Sequence, residues 1–332
     1  MSWQSIPKIE LHLHLEGAAP PDLIRRLAKE KSVDIAGIFD ERGHYAFDDF
    51  PHFLQVYEAA TSVLTRPEDY ARLTAAVLEQ SAEDGIIHTE AFLSPDFCGG
   101  GDLGAWREYL QAIREAADHA EAVYGITMRG IVTCIRHFGP YSARQIARCA
   151  AETAGDWITG FGMGGNETMG KQGDFAWSFD CAREAGLQLT THAGEFAGPA
   201  SVRQALDDLR VARIGHGVRA AEDPALMDRL AEAGIVLEVC PGSNIALGLY
   251  PDWRAHPIAK LRKAAVKVTV STDDPPFFRT SMTREYKALE QAFGWDENDF
   301  AALAGTALDA AFCDAALKDR LRDRLKTGTE ST

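Results

Sequence analysis

The sequence has no apolar run near the roughly 18 residues of a membrane-spanning helix. It also has no Cys-x-x-Cys pair: Cys98, Cys134, Cys149, Cys181, Cys240 and Cys313 are scattered along the chain. That spacing argues against a disulfide framework or a thiolate zinc site and suits a reducing compartment. Positive charge is scarce. Against 49 Asp and Glu stand 34 Lys and Arg, a formal net charge of −15. This balance argues against duplex nucleic acid or an anionic membrane as the main partner. A nucleobase or nucleoside, which carries no phosphate, stays open. Met1–Pro7 has neither the basic nor the apolar stretch of a secretory signal. There is no internal repeat, low-complexity block or interdomain linker. These absences predict a soluble, cytoplasmic protein.

What is present is apolar bulk and alternation. Hydrophobic residues make up 46% of the 332, enough for a large core. Short β-branched runs appear at Lys8–Leu15, Ile86–Leu93, Ile126–Thr133, Trp157–Phe161, Leu187–His192, Ala212–His216, Ile235–Cys240 and Val266–Ser271. Between most of them lie Ala-, Leu-, Glu- and Arg-rich stretches. In Tyr70–Asp84 the spacing of Leu73, Val77, Leu78 and Ser81 places them on one helical face. Leu103–Tyr124, Ala143–Ala154, Phe175–Ala185, Pro224–Ala233 and Ile258–Ala265 read the same way. Gly85, Gly125, Gly186 and Gly234 stand where such helices would stop, since glycine adopts the left-handed conformation freely.

Eight strand–helix units are the number that closes a (β/α)₈ TIM barrel; an open doubly wound sheet is the structural alternative. The expected organisation is one barrel domain over residues 1–326 with a frayed tail at 327–332. Residues 20–64, with helical patterns at Asp22–Lys31 and Phe50–Leu64, form an insertion after the first strand. It is a candidate lid or a packing helix pair. Extra C-terminal helix is expected over Asp296–Leu325, outside the barrel.

The chemistry-bearing residues gather at strand ends. His12 and His14 lie two apart on the first strand, so both imidazoles point to one side. His192 ends the fifth strand, His216 ends the sixth, and Asp273–Asp274 follow the eighth. These are the C-terminal ends, where barrel active sites assemble. Three imidazoles and a carboxylate suit a catalytic Zn²⁺ with an open position for water. Glu195 lies near enough to His192 to move a proton without ligating. The other histidines (His44, His52, His88, His119, His137 and His256) read as satisfied or surface residues. Trp106 and the pair Phe277–Phe278 read as packing, and Cys240 as a small residue beneath the site.

Four segments, Lys8–Gly17, Thr191–Glu195, Arg213–Gly217 and Ser271–Pro275, resemble the signatures of the adenosine/adenine deaminase family of metal-dependent hydrolases. The resemblance spans nearly the whole chain in order. It implies one Zn²⁺ per chain held by His12, His14, His192 and Asp273. It further implies that Glu195 delivers a proton to purine N1 as water attacks C6. His216 would orient that water and stabilise its developing charge, Asp274 would hold N7, and the backbone amide of Gly165 would meet N3. No lysine lies in Trp157–Phe161, where two-metal relatives place a bridging one.

The resemblance also bears on substrate. Gly164-Gly-Asn-Glu167 is similar to the fourth-strand loop of adenosine deaminases, and Ile214-Gly-His-Gly217 agrees with them. Asn166 departs from their usual Asp. Glu16 stands where many of them carry an Asp against the ribose 5′-hydroxyl, and its extra methylene shrinks the sugar pocket. The expectation is deamination of adenosine to inosine. The alternatives are adenine or another 6-aminopurine with the same mechanism and, in another class, a purine-binding protein without turnover. The partner is a small purine nucleoside or base, not nucleic acid or a membrane; the sequence leaves oligomeric state open.

Overall fold

The computed structural model describes residues 3–330. Eight parallel strands follow one another round a barrel in sequence order. They are β1 (Lys8–His14), β2 (Ile86–Leu93), β3 (Thr127–Ile135), β4 (Ile158–Gly164), β5 (Gln188–Ala193), β6 (Arg213–His216), β7 (Val236–Val239) and β8 (Lys267–Val270). The (β/α)₈ barrel read from the sequence is the observed fold. Observed β4 runs three residues past its predicted end because Gly160, Gly162 and Gly164 weaken its apparent strand propensity.

The outer ring follows local rules. In order it comprises α1 (Pro21–Lys31), α2 (Phe50–Thr61), α3 (Pro67–Glu83), α4 (Leu103–Tyr124), α5 (Gly139–Thr153), α6 (Ala176–Glu184), α7 (Pro199–Gln204) and α8 (Pro224–Ala233). Next come α9 (Pro241–Ala246), α10 (Ile258–Lys263), α11 (Pro275–Phe278), α12 (Met282–Phe293), α13 (Glu297–Ala310) and α14 (Ala315–Glu330). Helix α4 shows the rules at work. The Asp102 carboxylate accepts the Ala105 N–H at 2.8 Å, Gly125 ends the helix at φ 73°, and Trp106, Tyr109, Ile113, Ala117 and Ala120 form its buried stripe. Each large side chain in such a stripe contributes about 1.5–3 kcal/mol by leaving water.

The sequence reading does not include α7, α9, α11 and α12. The first three are four to six residues long, too short for a periodic stripe, and each begins at a proline. The expected helix over Asp296–Leu325 is two helices. Ala311 turns extended at ψ 138°, and Asp314 accepts the Leu317 N–H at 2.9 Å to start α14. Helix α14 continues to Glu330, past the start of the expected tail; Ser331 and Thr332 lie outside the described residues.

The insertion crosses the mouth of the barrel. Phe53 of α2 stacks on Phe278 with centroids 5.2 Å apart, and Phe50 meets Phe196 of the β5 loop at 4.2 Å. Tyr45 stacks on Phe277 at 3.9 Å. Aromatic contacts thus hold α2 over the C-terminal ends of β5 and β8.

The barrel closes at the β8–β1 seam. There the His14 N–H donates to the Asp273 carbonyl at 3.0 Å, and the Asp273 N–H donates to the His12 carbonyl at 3.1 Å. Below them, the Glu10 carboxylate accepts the Thr272 N–H at 2.9 Å and its hydroxyl at 2.6 Å. At the opposite end, Arg213 lies wholly buried between Glu90 at 2.7 Å and Glu238 at 2.6 Å. Its guanidinium sits 3.5 Å from the centroid of Phe312, which packs against Phe92 and Ile131 and closes the floor. Phe312→Ala is expected to destabilise the fold by about 3–5 kcal/mol, since it removes a core aromatic and uncovers a buried cation. A denaturant midpoint shared with wild type would contradict this.

Candidate active site

The side chains at the strand ends converge. His12 Nε2 and His14 Nε2 lie 3.1 and 3.2 Å from His192 Nε2. Asp273 Oδ1 lies 3.4 and 3.3 Å from the same two atoms of His12 and His14. A tetrahedral ion with bonds of about 2.0–2.1 Å has edges of about 3.3 Å, so these separations are those of a four-ligand shell. The close approach is built into the sequence. A Cβ at Gly215 would lie 2.8 Å from His12 Cε1, and one at Gly17 would lie 1.5 Å from Asp274 Oδ1.

The protonation pattern points the same way. The Met163 carbonyl can only accept, so at 2.9 Å it takes the proton of His192 Nδ1 and leaves a lone pair on Nε2. Burial holds His192 well below the usual histidine range. The Glu238 carboxylate, 2.8 Å from His12 Nδ1, aims the lone pair of His12 into the same space. Burial lowers the basicity of His12, yet Asp273 and Glu238 lift it to about 9, so these carboxylates favour positive charge here. The site favours positive charge, and a divalent cation in place of the His12 proton fits three imidazole nitrogens beside an ionised aspartate.

Two non-glycine residues of the site hold positive φ, His216 at 59° and Asp273 at 68°. Such geometry costs of order 1–3 kcal/mol and persists where its surroundings over-determine it. Ser243 donates to Asp273 Oδ2 at 2.7 Å, freeing Oδ1 for the cluster.

Glu195, His216, Asp274 and Gly165 line the cavity above the cluster, together with Phe50, Phe53, Tyr57 and Phe278. Glu195 Oε2 lies 3.7 Å from His216 Nε2. Burial pushes the Glu195 carboxyl well above its ordinary range, with the charges of Asp273 and Glu167 adding to the effect. Asp274 is raised likewise, by burial and then by Asp273, and its Oδ1 has no hydrogen-bond partner. Burial holds His216 neutral, at about 3.

Glu16 is the predicted site residue that the fold sets apart. It does not line the cavity; buried, it accepts from Tyr70 Oη at 3.1 Å. Burial raises its carboxyl to about 7. A wider cleft opens at the barrel floor among Gly155, Gly186, Gly234 and Lys267, and none of the clustered donors borders it.

Several working residues escaped the sequence reading. Glu167 accepts backbone N–H groups from Glu195, Phe196 and Ala197 at 3.0, 2.8 and 2.9 Å, and so holds the turn that carries Glu195. His137, read as satisfied or surface, lines the cavity and accepts the Asn166 N–H at 3.3 Å. Glu238 had a signal: it is the lone charge in an apolar strand. His88 and His256 are buried and hydrogen-bonded, as read. Phe278 lines the cavity, whereas Phe277 and Trp106 pack in the core.

An eight-stranded barrel with a histidine–carboxylate cluster at the mouth defines a hydrolase of the amidohydrolase superfamily. The family model for adenosine deaminase matches residues 7–328, and the chain belongs to that family. It is a metal-dependent aminohydrolase. A curated relative from Rhizobium leguminosarum bv. trifolii, named adenine deaminase, is 48% identical over 320 residues, covering 96% of this chain and 99% of the relative. Another adenine deaminase, from Agrobacterium fabrum, is 48% identical over 318 residues, covering 96% and 97%. The crystal structure of adenine deaminase from Arthrobacter aurescens superposes with a TM-score of 0.90 at 29% identity, covering 98% of this chain and 99% of that one. A zinc-bound amidohydrolase from Burkholderia ambifaria gives 0.87 at 27% identity, covering 99% and 93%.

Glu238→Ala should weaken metal retention about 10–100-fold, the usual cost of removing an outer partner of a ligating histidine. Competition with a chromogenic chelator measures it, and affinity equal to wild type would contradict the support assigned to Glu238.

Proposed function

We propose that the protein deaminates adenine to hypoxanthine and ammonia, with one Zn²⁺ held by His12, His14, His192 and Asp273. The observation that carries the choice of adenine is near-full-length identity of 48% to relatives named adenine deaminase. This displaces adenosine, favoured by the Gly164–Glu167 loop, and takes up the alternative to which Glu16 points. Glu16, bonded to Tyr70 and to the cavity-lining Tyr57 and not itself among the lining residues, supports a base over a nucleoside.

When bound, the metal supplies an acidified water as nucleophile at neutral pH. The chain's own groups do the rest. Glu195, kept protonated by burial, gives its proton to N1 as C6 is attacked, so the ring nitrogen takes up the displaced electron pair. Asp274, also held protonated, donates to N7 from the carboxyl that has an unpartnered oxygen. The Gly165 amide meets N3. His216 faces the attacked carbon and stabilises charge on the incoming oxygen. The aromatic side chains at the mouth shed water from the ring, which strengthens each of these polar contacts.

Ammonia release from adenine and adenosine, side by side and with and without prior chelation, tests the reading. Chelator-sensitive turnover of adenine is expected. Turnover of adenosine with none of adenine would overturn the substrate and return Glu16 to the status of a tolerated variant. Glu195→Gln should retain metal and purine binding while losing turnover by about 10²–10⁴-fold; wild-type turnover would remove Glu195 from the proton path. Asp274→Ala should keep its metal and raise KM.

A further inference from the structure

A string of hydrogen bonds behind His216 starts at a backbone amide and admits one assignment of protons. The Ile258 N–H lies 3.3 Å from His256 Nδ1. A backbone N–H only donates, so this nitrogen is the acceptor. Burial holds His256 neutral, at about 3, which places its single proton on Nε2. That N–H faces Asn244 Oδ1 at 3.1 Å. With the oxygen engaged, the amide nitrogen Nδ2 faces His216 Nδ1 at 3.4 Å. An amide nitrogen also only donates, so His216 Nδ1 is an acceptor and the ring carries its proton on Nε2. Nε2 is the atom directed at the cavity, 3.7 Å from Glu195 Oε2 and 3.9 Å from Asp273 Oδ2. Rotating the amide of Asn244 would set its NH₂ against the N–H of His256 and leave two donors facing each other. All three side chains are buried, so bulk water is not at hand to repair such a clash.

We infer that Asn244 and His256 are positioning residues that fix the tautomer of His216, so that it presents an N–H, not a lone pair, to the reacting atoms. An imidazole already protonated at Nε2 cannot take a second proton there. His216 therefore acts as a hydrogen-bond donor to the attacking oxygen and not as its general base. The proton balance is unchanged by this step: the donor shares its hydrogen without losing it, and N1 is protonated by Glu195. The kinetic part of the inference rests on the proposed adenine reaction, whereas the tautomer does not.

The test is a long-range ¹H–¹⁵N spectrum of the histidine rings in the zinc-loaded protein, with His216 assigned from a His216→Gln control. The expected pattern is an unprotonated Nδ1 and a protonated Nε2. Asn244→Asp places a carboxylate that accepts from both neighbours and should draw the His216 proton to Nδ1. Its kcat on adenine should fall on the order of 10²-fold, the loss expected for a misdirected stabilising donor, with KM and zinc content kept. His256→Ala frees the amide to rotate and should give mixed tautomers with a smaller fall in kcat. A protonated Nδ1 in the wild type overturns the inference. So does a loss of kcat in either variant with the His216 signals unmoved, which would mark a merely structural role. Should Asn244→Asp fail to fold, the wild-type spectrum and His256→Ala decide the matter. If adenine is not turned over, the ring spectra still read the tautomer, so the failure belongs to the substrate reading alone.

Discussion

Asp273 bears two loads at once. Its backbone makes both hydrogen bonds of the pair that joins the last strand to the first, and its carboxylate stands among the clustered imidazoles. The left-handed backbone at this residue lets one amino acid do both. Closure of the barrel and formation of the cluster are therefore one geometric event. Bringing β8 to β1 sets Asp273 beside His12 and His14, and the distances among the donors inherit the rigidity of the sheet.

Around that point the barrel interior is unusually polar for a buried space. His12 leans on Glu238, Glu238 on Arg213, and Arg213 on Glu90, so charge alternates from mouth to floor. Each ion would be costly to bury alone, and the network is tolerable because its members are paired within it. The floor residue Phe312 covers the guanidinium, and the Ala310 carbonyl accepts from it at 2.9 Å. The C-terminal helices thus shield the far end of the same column whose near end holds His12.

The barrel and the donor cluster were legible in the sequence because both depend on local signals. Strand and helix periods mark the eight units, and His12, His14, His192, His216 and Asp273 all lie within three residues of the C-terminal end of a strand. Where the reading ran out, the information lay in partners distant along the chain. Asn244 gives no sign in sequence that it bridges His216 and His256, and Glu167 none that it holds the turn after β5. The preference for a nucleoside came from the β4 loop. The buried pairing of Glu16 depends instead on Tyr70 of α3, 54 residues away, and no motif records that contact. Helix α12 shows the same limit at the level of fold.

The seam has a consequence in time as well as in space. His12 and Asp273 are 261 positions apart, and the ring closes only when both are present. A chain emerging from the ribosome carries its first two donors once β1 has been made. It cannot complete the donor set until β8 and the turn that follows it have been made. Chains that stop or pause before β8 therefore lack a donor and the seam together. In such copies the three imidazoles stand without their carboxylate and the sheet without its closing strand.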